Sequence, residues 1–100
     1  MSRQKAVFND KQRILRLYSI LISKQAMSVD QIEDLFFIGQ KTVQRDIAAI
    51  REFLSELQIN EEVKSEVVYD RKLKKYKITN RDHLFELFDK INSEENPFFY

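Results

Sequence analysis

Lys41, Gln44, Arg45 and Ala48 are the residues whose types and spacing best suit a chemical task in this chain. At about 100° per residue they share one side of a helix. A cation, a long amide, a planar guanidinium and a small gap match phosphates and base edges in a DNA major groove. Thr42 sits in the same first turn, where free backbone N–H groups and the helix dipole favour a phosphate; its hydroxyl is equally suited to a local cap-type hydrogen bond. A second cluster follows, with Arg71, Lys72, Lys74, Lys75 and Lys77 inside seven residues. Such a run can hold a phosphate backbone, or it can protect a sheet edge from pairing. Five cations exceed what edge protection needs.

The same search finds no basis for catalysis. The chain has one histidine, His83, and no cysteine. His83 has no partner by spacing and reads as a surface residue. The carboxylates are scattered, no glycine-rich phosphate loop exists and no spacing suggests metal ligands. Catalytic residues, metal ligands and cofactors are therefore all expected to be none.

The elements that must position these residues follow from periodicity. Within 38–54, IGQKTVQRDIAAIREFL, Val43, Ile47, Ile50 and Leu54 recur every three or four residues, the buried side of a long helix. Its outward side is the reading face, and we place the whole helix at about 40–57. Asp46 lies at the flank of the stripe, where a carboxylate aimed at phosphates would be unfavourable. It is expected to be partly buried and paired with a base from the first helix or the hairpin, in a structural role. Upstream, Ser28 and Gln31 are spaced as a capping box, with Met27 and Ile32 as a hydrophobic staple. They open a short helix with Ile32, Leu35 and Phe36 buried, ending near Phe36 or Phe37. Gly39 can cap the long helix. Short helix, tight turn and longer helix make a helix-turn-helix plan.

Around this unit, Asn9 or Asp10 caps a helix over 11–23 whose apolar residues, Leu15 included, are too widely spread for one stripe. That helix reads as the central support. Val7 and Phe8 tuck under the domain. After a loop at 55–65, EVVYD (66–70) and KYKIT (75–79) form a hairpin, with Tyr69, Tyr76 and Ile78 toward the helices. Asn80 or Asp82 caps a last helix over 81–92, with Leu84, Leu87, Phe88 and Ile91 on its apolar side and Phe85 beside them. Phe98, Phe99 and Tyr100 are costly to leave in water and should pack on this domain, a second copy or a further domain.

One hundred residues allow one domain. The start lacks a signal-peptide core and no apolar run spans a bilayer, so a cytoplasmic protein without a membrane partner is expected. Net charge is only +1, yet the basic run stands apart from acids at 52–66 and 82–95. A polarised surface of this kind can attract DNA on one side.

The run from Arg13 to Thr79 resembles the N-terminal winged helix-turn-helix of DeoR-like and WYL-domain bacterial transcriptional regulators. The carrying residues are IGQKTVQRDIAAIREFL, similar to V-S-x-x-T-[IV]-x-R-D-[IL], and VVYDRKLKKYKI, similar to I-V-Y-D-R-K-x-x-G-Y-x-L. The resemblance implies that Thr42, Gln44 and Arg45 touch DNA and that Asp46 is a structural acid. It assigns Tyr69, Asp70, Arg71 and Tyr76 to the wing. The chain departs at Gly39, where Ser is usual, at Phe37, where Gly is common, at Glu33, where a small residue is common, and at Lys75, where the wing has Gly. Family members usually continue into an effector or WYL domain. Either this is the DNA-binding part of a longer regulator, the only case that would supply an effector ligand, or it stands alone.

The expected architecture is thus mostly α with a small β-hairpin: an arm (1–8), a winged helix-turn-helix (9–80), and a helix with an aromatic tail (81–100) offering a dimer contact or a linker. The expected function is sequence-specific double-stranded DNA binding by a dimeric transcriptional regulator of repressor type. Lys41, Thr42, Gln44, Arg45, Ala48, Arg71, Lys72, Lys74 and Lys75 would contact DNA. The alternative is a winged-helix protein–protein interaction module that does not bind DNA.

Overall fold

Side-chain caps set where the first two helices begin. In the computed structural model, which describes residues 8–23 and 25–95 with the side chains of 90–95 excepted, α1 spans Asp10–Ile22. The Asn9 side chain accepts from the Gln12 amide (2.8 Å), and Gln12 Oε1 accepts from the Asn9 amide (3.1 Å). Helix α2, Val29–Phe36, begins the same way: Ser28 Oγ accepts from the Gln31 amide and Gln31 Oε1 from the Ser28 amide. Each box satisfies two backbone donors that a helix start otherwise leaves open. Helix α3, Gln40–Leu57, starts at an extended Gly39 with no side-chain cap.

Between α2 and α3 the chain turns at Phe37, whose φ of 56° and ψ of 49° are left-handed. The amides of Phe37 and Ile38 both donate to the Glu33 carbonyl. A residue with a Cβ in this conformation costs about 1–2 kcal/mol, which is why glycine is favoured there. Here an aromatic residue carries the strain.

The apolar stripe of α3 is the middle of the core. Val43, Ile47, Ile50 and Leu54 are buried together with Leu17 and Leu21 of α1 and Ile32 and Phe36 of α2. Two expectations need correction. Leu15 is 65% exposed, although the contacted side of α1 is wide: Leu17 and Leu21 are buried, and Ile14, Tyr18, Ile20 and Ile22 are partly buried against the core. Leu35 is 46% exposed, since Ile32 and Phe36 already fill the contact of α2 with α3. Phe8 does tuck in, edge-on to Phe36 at 5.9 Å with the Arg16 guanidinium 4.8 Å from its ring centre. Val7 lies outside the described residues.

Strands β1 (Val67–Asp70) and β2 (Lys75–Ile78) pair antiparallel, with Val67 opposite Ile78 and Tyr69 opposite Tyr76. Those four residues share the face toward the helices. Val67 and Ile78 at its root are buried, whereas Tyr69, nearer the turn, is 44% exposed and only partly meets its expectation. On the other side of β2, Met27 and Tyr76 exchange backbone hydrogen bonds of 2.9 and 2.7 Å. Strand β2 therefore has neighbours on both edges at that point.

Helix α4 spans Arg81–Glu95, three residues beyond the expected end at 92. Leu84 and Leu87 are buried, Phe88 packs on the core and Phe85 stays half exposed. Asn80 is left-handed (φ 49°), and its side-chain amide donates to the Lys64 carbonyl (3.0 Å). The Asn80 side chain therefore fastens the preceding loop, while its carbonyl accepts from the His83 amide (3.0 Å) in the first turn of α4. The Ile91 side chain and residues 98–100 fall outside what is described. Among the described residues no helix is long and apolar enough to cross a membrane.

Candidate nucleic-acid interface

Lys41, Gln44, Arg45 and Ala48 are all exposed on α3, on the side away from its buried stripe. Thr42 is half-buried at the flank, beside Arg45, in a shallow hollow between the N-terminal halves of α1 and α3. Further along the outward side Glu52 and Glu56 are exposed too. The cationic part of the face is therefore confined to the first half of α3.

Asp46 is 3% exposed and holds this half of the helix to α1. The Arg13 guanidinium donates through Nε to Asp46 Oδ2 and through Nη2 to Oδ1 at 3.0 Å. Nη2 also reaches Asp10 Oδ1 at 3.0 Å. This two-pronged geometry suits Arg and not Lys. The hydrogen bonding of the Arg13 guanidinium to Asp46 is the main reason the Arg13 pKa is raised, outweighing the desolvation that opposes it, so the cation persists at any working pH. The expected basic partner thus comes from the first helix and not from the hairpin. About two turns further along α3, Tyr18 meets Phe53 edge-on at 5.9 Å, and burial raises the Tyr18 phenol pKa.

The hairpin turn carries the second cationic group. Arg71, Lys72 and Lys74 are exposed and Lys75 is half-buried. Lys77 is engaged, its Nζ 3.0 Å from Asp70 Oδ2. Asp70 organises the turn: its Oδ1 accepts from the amides of Lys72 (2.9 Å) and Leu73 (3.1 Å), and its carbonyl accepts from the Lys74 amide (2.7 Å). The Leu73 amide, then Lys77, hold the Asp70 carboxyl below its ordinary pKa. Lys74 is the left-handed residue of the turn (φ 57°), one position before the glycine of the resembled motif.

Two residues that tie this surface together had no signal in the spacing. Arg51, on α3, donates from Nε to the Val67 carbonyl (3.1 Å), and its guanidinium lies 5.8 Å from the centre of the Tyr76 ring. Gln58, 1% exposed, donates from Nε2 to the carbonyls of Leu54 (2.9 Å) and Ser65 (3.0 Å) and accepts from the Ser65 amide (2.7 Å). It closes the end of α3 onto the root of the hairpin. A lone polar residue after a periodic helix looks like the start of a loop, so periodicity overlooks it.

His83 also differs from expectation. It is half-buried, with Nε2 3.5 Å from Glu61 Oε1. Among the described residues no group of side chains could hold a metal ion. No family model, curated protein or solved structure matches the chain.

Proposed function

We propose that this chain is a winged helix-turn-helix that binds double-stranded DNA, with α3 in the major groove and the β1–β2 hairpin as a wing on the phosphates. One observation carries this function: the exposed Lys41, Gln44, Arg45 and Ala48 lie on the side of α3 opposite its buried residues, and a basic hairpin is tied to the same helix through Arg51. Bases and amides displayed on a rigid helix suit base-edge contact, and cations on a neighbouring ribbon suit backbone contact. The Met27–Tyr76 bridge lends support, because it adds a third strand position to the hairpin. In this proposal the chain is a transcriptional regulator of repressor type, akin to DeoR-like and WYL-domain regulators. It acts in the cytoplasm as a dimer joined through α4.

Titration of a labelled random duplex at low and moderate salt tests the proposal. Binding should fall steeply as salt rises. Arg45→Ala should weaken it by about 1–3 kcal/mol if the guanidinium reads a base. Unchanged affinity in the Arg45→Ala, Lys41→Ala double variant would overturn the assignment.

A protein-interaction module is the second reading, favoured by the exposed apolar side chains of Leu15, Phe53 and Phe85. Absence of duplex binding even at low salt would select it.

A further inference from the structure

Arg51 stands between the outward face of α3 and the hairpin. Among the described residues its bond to the Val67 carbonyl is the one side-chain hydrogen bond from α3 itself to either strand. The same guanidinium stacks toward Tyr76, and Tyr76 meets Tyr69 edge-on at 5.1 Å. The line α3, Arg51, Tyr76, Tyr69 thus runs from the helix out along the ribbon. A planar fork can donate in its plane and offer its face to a ring at once; a lysine ammonium cannot do both in one fixed geometry. Among the described residues β1 has no further strand on its outer side; Met27 holds β2 at Tyr76 and the buried Val67 and Ile78 hold the root, which leaves Arg51 as the side-chain link from α3 to the β1 edge.

We propose that Arg51 is a positioning residue that sets the angle of the hairpin beside α3. That angle decides whether Arg71, Lys72, Lys74 and Lys75 reach the same duplex as Arg45. The consequence for DNA rests on the function proposed above, whereas the geometric role does not.

The test separates the two. The chain has no cysteine, so Glu52→Cys with Leu73→Cys gives one spin-label site on α3 and one on the turn, neither among the proposed DNA contacts. Pulsed electron paramagnetic resonance then reads the distance between them without DNA. A narrow distribution is expected in the labelled parent, about twofold or more broader in Arg51→Ala and intermediate in Arg51→Lys, which keeps the cation but not the fork. Should Arg51→Ala fail to fold, Tyr76→Leu removes the ring face and must broaden the same distribution. Unchanged widths in the folded variants overturn the positioning role, whether or not DNA binds.

The DNA arm compares salt slopes of the parent, Arg51→Ala, a hairpin variant with Arg71, Lys72, Lys74 and Lys75 all changed to Ala, and their combination. Each wing cation that leaves the phosphates should remove about 0.9 from the slope. Arg51→Ala is expected to lower the slope and to add nothing in the hairpin variant. A loss that adds in full to the hairpin variant makes Arg51 a phosphate contact itself and overturns the proposal. If the parent binds no duplex, the DNA function alone fails, and the label distances still decide the part played by Arg51.

Discussion

Helix α3 is held along its two flanks by two arginines in opposite circumstances. On the α1 side, Arg13 and Asp46 are 7% and 3% exposed and share a two-pronged ion pair. On the hairpin side, Arg51 is exposed and uses one neutral carbonyl and one ring face. Taking a charge out of water is costly, so a buried pair is stable only with its partner in place. A solvated arginine loses far less when its contacts go. The first flank therefore fixes α3 within the domain, and loss of the second should cost folding far less. Under the DNA-binding proposal, the rigid helix would read bases and the arm would track phosphates.

The contrast is tested most severely at Asp46. Asp46→Ala leaves the buried Arg13 cation with only the exposed Asp10 as a partner and should cost about 3–5 kcal/mol, read as a lowered denaturation midpoint. The joint change Arg13→Met, Asp46→Leu should recover most of that loss, because no buried charge is then left unpaired and Asp10 is solvated. Equal losses in the single and the joint variant would mean that packing, not charge, holds this flank.

A middle case lies at the root of the hairpin. Gln58→Ala leaves the Ser65 amide and carbonyl without their side-chain partner, and a buried group left unmade costs about 1–3 kcal/mol. Hydrogen exchange at Ser65 should quicken along with the drop in stability. Protection that stays intact would show that the root is held without Gln58, by Val67, Ile78 and the Ser65–Asn80 and Glu66–Thr79 bonds.

The smallest effect belongs to the turn. Asp70 has a depressed pKa, so its stabilising bonds are complete above the unfolded aspartate value of about 3.9 and are lost as pH falls through the lower folded value. The amide resonances of Lys72 and Leu73 should shift in that acid window while the core of α3 keeps its signals. Core signals that move at the same pH would mean that the hairpin is not independently soft.

Much of the frame was legible in the chain. The S-x-x-Q capping box at Ser28, the alternation of VVYD and KYKI and the stripe from Val43 to Leu54 each depend on neighbours within a few residues. Local hydrogen bonding and a fixed helical or pleated period dictate such features wherever they occur. The outward placement of Lys41, Gln44, Arg45 and Ala48 follows from that period, as does the need of Asp46 for a partner.

Which base answers Asp46, which arginine reaches Tyr76, and where Gln58 sends its amide were decided only by tertiary structure. Each joins residues far apart in the chain, and many cations could have met the same requirement. Leu15 and Leu35 carry the same lesson: their apolar character is local, but their exposure depends on which neighbours arrive. Periodicity names the side of an element that seeks a partner, and the crossing of α1, α3 and the hairpin determines which partner it finds.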